Sequence, residues 1–309
     1  MKALVFGSLN IDHVYEVEHF VQPGETLASE DLQFFCGGKG LNQSIALSRA
    51  GVSVWMAGAV GSQDADMLLR CLDEAGVHTE LILRKEISSG HAIIQKTPDG
   101  ENGILLYGGA NRKITETDVE DVLSHFSEGD YLILQNEINQ MPYIMEKAYQ
   151  MGMKIVLNPS PMDEQIFTLP LDCVDYLILN EGEGAAMASR FRTPEDEGGS
   201  QPGGSESAAD GILARLMARF PDTHIIMTLG SRGSVYRYRG QVYAQAAYPA
   251  EAVDTTGAGD TFTGYLIGSR MRGKSMETAM DLAAKAAAIS VGRPGASASV
   301  PALEEVEAE

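Results

Sequence analysis

Cysteine, basic side chains and long apolar runs are all scarce in this chain of 309 residues. The 3 cysteines, Cys36, Cys71 and Cys173, are widely scattered and form no Cys-x-x-Cys pair. They could not staple a chain of this length, and they fit a reducing cytoplasm. Lysine and arginine number 23 against 43 acidic residues, a formal net charge of −20, which excludes non-specific nucleic-acid binding as a function. No apolar run approaches the roughly 18 residues of a membrane span. The opening Met1-Lys2-Ala3-Leu4-Val5-Phe6-Gly7 is too short for a signal-peptide core, so the expected location is the cytoplasm and no membrane partner is expected. Asn42-Gln43-Ser44 matches a glycosylation triplet by chance, since no secretory signal accompanies it.

What is present is ordinary globular composition, 44% hydrophobic and 21% charged, enough to bury a large core. Short aliphatic runs at Ala3–Gly7, Val54–Val60, Tyr131–Gln135, Lys154–Asn158, Tyr176–Asn180 and His224–Leu229 lack polar alternation, as strands covered on both faces do. Between them, helical patterns run over about Gly40–Ala50, Ala65–Ala75, Glu116–His125, Pro142–Met151, Glu181–Ser189, Ala208–Phe220, Gly257–Arg272 and Met276–Gly292. The alternation predicts an α/β fold, doubly wound, with a mainly parallel sheet and helices on both faces.

Two strand-rich stretches, about 13–34 and 90–107, leave this rhythm, the second around a Thr97-Pro98-Asp99-Gly100 turn. They are expected to form a small β-sheet lid, with two unrelated surface loops as the alternative. Thr193–Ser207, rich in Pro, Gly, Glu and Ser, reads as a mobile surface loop, and Glu304–Glu309 as a solvated acidic end.

Three segments carry chemistry. In Asp254-Thr255-Thr256-Gly257-Ala258-Gly259-Asp260, the backbone N–H groups of Gly257, Ala258 and Gly259 can converge at a helix start, an anion cradle. Asp260 at its rim is suited to take a proton from an attacking hydroxyl, or else it merely caps the helix. In Cys36-Gly37-Gly38-Lys39-Gly40-Leu41-Asn42, the glycines let a ligand approach the backbone while Lys39 and Asn42 offer polar groups to hydroxyls; a tight turn with Lys39 in solvent is the alternative. This is no Walker loop, because Gln33 stands where the first glycine belongs and Gly40 follows the lysine. Gly7-Ser8-Leu9-Asn10-Ile11-Asp12 follows the first strand and sets Asn10 and Asp12 at its carboxyl end, a ligand position in open α/β sheets. The Gly-x-Gly-x-x-Gly of a dinucleotide fold is missing there.

Together, the Gly37–Ala46 and Asp254–Asp260 segments resemble the two signatures of the ribokinase-like (PfkB-type) sugar kinases, in order and at the right distance, with further landmarks as far as Pro301. The resemblance implies one kinase domain over 1–309 that phosphorylates a small sugar, D-ribose first, using ATP, Mg²⁺ and a monovalent cation such as K⁺. Fructose, 2-keto-3-deoxygluconate, deoxyribose or a nucleoside are alternative acceptors, and a catalytically silent sugar sensor is the alternative from another class.

The same resemblance implies the roles. Asp260 is the base beside the Gly257–Gly259 cradle, and Asn10, Asp12, Gly38, Lys39, Asn42 and Glu137 hold sugar hydroxyls. Asn180 and Glu183 organise Mg²⁺ and phosphate through water, with Thr228, Gly230, Ser231 and Gly233 as a nucleotide loop. The cation is expected at Asp254, the carbonyl of Thr256, carbonyls between Ser290 and Gly295 including Arg293, and Ser299. Gly108–Arg112 resembles the return from the lid, and a homodimer joined through the lids is expected. Ala283 and Ala284 stand where such kinases often place a polar group near adenine, which leaves base preference open. The net charge is no obstacle to ATP, because charges beyond about 8–10 Å are largely screened at physiological salt.

Overall fold

Ala3-Leu4-Val5-Phe6 is apolar at every position, a pattern suited to a strand covered on both faces. The computed structural model describes residues 1–191 and 208–308. It sets this run, β1 (Ala3–Phe6), within a large sheet. There follow β2 (Asn10–Glu16), β3 (Asp31–Gly37), α1 (Lys39–Arg49), β4 (Val54–Gly61), α2 (Asp66–Glu74) and β5 (His78–Lys85). Next come β6 (Gly90–Lys96), β7 (Asn102–Tyr107), α3 (Glu116–Leu123), β8 (Tyr131–Gln135), α4 (Met141–Gln150), β9 (Lys154–Asn158), β10 (Tyr176–Asn180) and α5 (Glu181–Arg190). The last elements are α6 (Ala208–Arg219), β11 (His224–Thr228), β12 (Ser234–Tyr238), β13 (Gln241–Gln245), α7 (Ala258–Met271), α8 (Met276–Val291) and α9 (Leu303–Glu307).

Among the described residues the large sheet has the order β13-β12-β11-β10-β9-β8-β1-β4-β5. All neighbours from β11 to β5 are parallel, and β12 and β13 add antiparallel at one edge. The chain moves outward from β1 to β5, then returns to β8 and moves outward on the other side. The topological switch therefore lies between β1 and β8, and ligands of open α/β sheets bind beyond the strand ends there. Side chains of β1 alternate between two cores: Leu4 and Phe6 join residues of α3 to α6, while Ala3 and Val5 join residues of α1, α2, α7 and α8. Helices thus cover both faces, as the apolar runs required.

The small sheet has the order β3-β2-β6-β7. Its parallel β2–β6 ladder joins the two stretches that leave the α/β rhythm, so they are one sheet rather than unrelated loops. Its limits differ from expectation: β2 starts at Asn10 and β3 continues to Gly37. Asn10 and Asp12 consequently belong to the small sheet, not to the end of β1, because Asn10 already pairs with Gly37 and Gly90.

The acidic end is also more ordered than its charge suggests. Glu304–Glu307 lies in α9, where Val306 is 0% exposed, and Glu305 and Glu307 pair with Arg293 and Arg272. The sequence reading of Thr193–Ser207 falls outside the described residues. Among the described residues, no helix is long and apolar enough to cross a membrane.

Candidate active site

Glycine brings the pieces of the site together. A Cβ at Gly40 would lie 2.6 Å from the carbonyl carbon of Gly7 and the nitrogen of Ser8, so only glycine lets the start of α1 rest on the chain leaving β1. Farther along α1, where α7 packs against it, Cβ atoms at Gly264 and Gly268 of α7 would lie 2.3 Å and 2.6 Å from the Cβ atoms of Ala46 and Ala50. Small residues on both sides form a close seam between α1 and α7. Gly257, at φ 75°, turns the chain into α7 in a conformation that favours glycine.

The seam sets Asp260, in the first turn of α7, against α1. Asp260 is 6% exposed. Its Oδ2 accepts from Asn42 Nδ2 at 3.1 Å and its Oδ1 from Gln43 Nε2 at 2.9 Å. A Cβ at Gly259 would meet nothing within 4 Å, so the cradle in front of this carboxylate is open. Asn42 Oδ1 is buried with no hydrogen-bond partner, an acceptor left for a donor such as a hydroxyl. Asp260 also interacts electrostatically with Lys39, whose ammonium it holds above its ordinary pKa against the opposing effect of burial; Glu137 and Glu183 add to the rise.

The small sheet contributes the opposite wall. Asn111 locks the base of β2, donating to Asn10 Oδ1 at 2.8 Å and Leu9 O at 3.1 Å, and accepting from Leu9 N at 3.0 Å. Asp12 lies over Gly37, where a Cβ would come 2.1 Å from Oδ2. Burial, and then the charge of Glu137, push the Asp12 carboxyl up from 3.8 to about 7. Glu137 accepts from the Ser8 hydroxyl and, at 3.1 Å, from the backbone N of Lys39. The Gly-Gly-Lys-Gly turn, the small sheet and the end of β8 therefore converge.

A second cluster forms at the ends of β10 and β11. Asn180 Oδ1 accepts from Glu183 N at 2.8 Å, and Glu183 Oε2 accepts from Asn180 N at 2.9 Å, a reciprocal cap on α5. Thr228 ends β11, and the turn through Gly230 closes when Leu229 N donates to Gly233 O at 2.7 Å. Neither Asn180 nor Glu183 bonds Asp260 directly; the charge of Glu183 is felt through Lys39. Ser231 lies in this turn, whose Arg232 pairs with Glu181.

The loop before α7 is closed by Asp254, which accepts from Thr256 N at 2.9 Å and Gly295 N at 3.0 Å. Burial opposes ionisation there, but these bonds outweigh it and hold the carboxyl below its ordinary range. Ser290 and Ser299 share a hydrogen bond of 2.8 Å in the interior. The guanidinium of Arg293 is engaged by Glu305, so only its carbonyl suits the role expected for it. A cavity of about 390 Å³ lies alongside, bounded by Tyr248, Val253, Lys285, Ala288, Ile289 and Gly292. Ala283 and Ala284 are buried in α8. A cavity of about 530 Å³ between α6 and the β12–β13 hairpin contains none of the residues singled out from the sequence.

Sequence reasoning missed Ser8, Gln43, Asn111, Gln135 and Asn158. Gln135 and Asn158 were signalled by closing apolar strands, whereas Gln43 carried no signal beyond standing next to Asn42 in α1. Their mutual contacts arise only from the tertiary fold.

The comparisons with known proteins agree with this geometry. The model of the "pfkB family carbohydrate kinase" matches residues 1–303. The chain is 33% identical over 312 aligned residues to a ribokinase of Staphylococcus aureus (strain COL), covering 99% of this chain and 98% of that protein. The ribokinase of Cryptococcus neoformans var. grubii serotype A, solved with ADP, superposes with a TM-score of 0.86 at 34% identity, covering 99% of each chain. The Arabidopsis thaliana ribokinase, solved with ribose and ATP, gives a TM-score of 0.83 at 27% identity, covering 99% of this chain and 97% of that one. The chain that gathers a Gly-Gly-Lys-Gly turn and a Gly-Ala-Gly cradle around Asp260 therefore belongs to the pfkB family of carbohydrate kinases, phosphotransferases that act on an alcohol.

Proposed function

We propose that this chain transfers the γ-phosphoryl group of ATP to the primary hydroxyl of D-ribose, giving ribose 5-phosphate and ADP. One observation carries the reading: the carboxylate of Asp260 stands beside an open Gly257–Gly259 cradle while its two oxygens are held by Asn42 and Gln43 of the sugar-side helix. Asp260 accepts the hydroxyl proton as the oxygen attacks phosphorus, and the bond from phosphorus to the leaving ADP oxygen breaks. The amides of Gly257, Ala258 and Gly259 steady the charge on the group in transit. Asn10, Asp12, Gly38, Lys39, Asn42 and Glu137 orient the sugar, and the small sheet excludes water, a competing acceptor.

Among the described residues, no group of three His, Cys, Asp or Glu side chains could hold a metal ion. The side-chain oxygens of Asn180 and Glu183 suit an Mg²⁺ that keeps most of its water and arrives with the nucleotide. When bound, it neutralises phosphate charge. The oxygen-only surroundings of Asp254, Thr256, Ser290, Arg293, Gly295 and Ser299 suit a hard monovalent cation such as K⁺. Thr228, Gly230, Ser231 and Gly233 line the nucleotide path, and the cavity beside Tyr248 and Lys285 accommodates the base. Leu32, Phe34 and Leu105 of the small sheet are 40%, 50% and 68% exposed, an apolar surface that a second copy of the chain would cover in a homodimer. We place the enzyme in the cytoplasm.

The test is an assay of ADP release over ribose, deoxyribose, fructose, 2-keto-3-deoxygluconate and a nucleoside, with and without K⁺. Ribose is expected to give the highest kcat/KM, with K⁺ raising the rate. Faster turnover of another acceptor overturns the sugar assignment, and acceptor-independent ADP release overturns the reading as a sugar kinase.

A further inference from the structure

Gln43 is fully buried in α1, and its amide makes three hydrogen bonds. Nε2 donates to Asp260 Oδ1 at 2.9 Å and to Asn158 Oδ1 at 3.1 Å, while Oε1 accepts from Gln135 Nε2 at 2.7 Å. Asn158 Nδ2 in turn donates to Ile178 O at 2.9 Å. A line of amides therefore begins at the carboxyl ends of β8 and β9, anchored to the middle of β10, and ends on one carboxylate. With both N–H groups and the carbonyl engaged, the Gln43 amide cannot turn its oxygen toward Asp260 without breaking all three bonds. We propose that Gln43 is a positioning residue for phosphoryl transfer: it fixes the rotation of the Asp260 carboxylate so that an unoccupied lone pair meets the sugar hydroxyl. This rests on Asp260 acting as the base.

Gln43→Met keeps the volume and removes the donors. Small misplacements of reacting groups cost up to about 10²-fold, so kcat should fall on the order of 10- to 100-fold. Sugar affinity by calorimetry should stay within about threefold, a split that general loss of structure does not produce. Turnover within about twofold of the parent, or an equal loss of affinity and turnover, overturns the inference. Should that variant not fold, Gln135→Met removes only the bond to Gln43 Oε1 and is expected to lower kcat less; unchanged kcat overturns the relay. Asp260→Asn separates the two ideas. An active Asp260→Asn enzyme defeats the base itself, whereas an inactive one beside a fully active Gln43→Met enzyme defeats only the positioning role.

A separate observation concerns two thiols. Cys36 Sγ in β3 donates to Met67 O at 3.6 Å, one helical turn before Cys71 in α2. Cys71 Sγ lies 3.9 Å from Ser297 Oγ, which itself donates to Cys36 O at 3.3 Å. Both thiols therefore border the same stretch of α2 and the Ser297 hydroxyl, and their influence on each other lowers Cys71 and raises Cys36. The geometry points to an oxidative modification site, at which a peroxide links Cys36 to Cys71 and ties the small sheet to α2 just before the Gly37–Lys39 turn. The Cys71 thiolate attacks the peroxide, forming an S–O bond as the O–O bond breaks, with release of water once protons are balanced. Cys36 sulfur then attacks that sulfenic acid, an S–S bond forms, and a second water leaves.

The test treats the full chain with hydrogen peroxide, followed by peptide mapping and sugar-kinase assay. A Cys36–Cys71 linked peptide, absent from Cys36→Ser, with turnover lost several-fold and recovered on adding dithiothreitol, is the expected result. Unlinked oxidised thiols, a link through Cys173, or a link that leaves turnover unchanged overturns the proposal.

Discussion

The carboxyl edge of the large sheet and the small sheet treat their acidic groups in opposite ways. Asp260 is held by two side-chain amides, one of them anchored to further amides at the strand ends. Asp12 lies on an outlying sheet, where burial and a neighbouring carboxylate work against its charge. The first arrangement is complete before substrate arrives. In the proposed function the second is improved by substrate, because a bound hydroxyl would donate to the ionised carboxylate. In the proposed function, chemistry sits on the preset side, and recognition on the side that ligand completes.

Asp260→Asn tests the preset side most severely: turnover should drop by at least ~100-fold while sugar binding survives, measured by ADP release and calorimetry. Near-normal turnover would erase the distinction between the two acids. Gly264→Val attacks the scaffold under that side, since a Cβ there already lies 2.3 Å from Ala46 Cβ. A stability loss of about 2–3 kcal/mol in urea unfolding is expected, and a smaller sheet-side effect at Gly103, whose Cβ would lie 3.4 Å from Phe20, sharpens the contrast.

Asp12→Asn probes the other side. The folded chain raises this carboxyl from 3.8 to about 7, so between those values it keeps a proton that the unfolded chain has released. Stability therefore falls as pH rises through that window. The asparagine variant should be more stable by about 1–2 kcal/mol at pH 8, a gain that fades toward pH 4 in thermal melts, while sugar binding weakens. A gain independent of pH would mean that the charge is not the cause. Smallest of all is Glu307→Ala, which removes a 2.9 Å ion pair with Arg272 at a partly exposed site. Its cost should be below about 1 kcal/mol with turnover unchanged.

The inner strands were legible because burial on both faces leaves no polar residues in them; Leu132, Ile133 and Leu134 are an example. Outer strands were not. In β5, His78-Thr79-Glu80 alternates and ends in Arg84-Lys85, which reads as surface chain until β4 supplies its partner. The hairpin of β12 and β13 has a local signal of its own: Arg239 and Gly240, at φ 44° and 79°, form a two-residue connection between alternating aromatic runs. Of the site, Asp260, Asn42 and Lys39 were visible as chemistry around glycine. Gln43, Gln135 and Asn158 are far apart in sequence and meet only after the sheet closes. The true start of β2 at Asn10 was hidden because Gly7, Ser8 and Leu9 do not advertise where one sheet yields to the other.

The close seam of Ala46 and Ala50 against Gly264 and Gly268 bears on how the enzyme fails. It clamps two helices whose leading ends serve, in the proposed function, different halves of the reaction, so neither helix can peel away while the other keeps its fold. Under rising denaturant, recognition of the sugar and grip on the phosphate should vanish together, with no concentration at which one outlives the other.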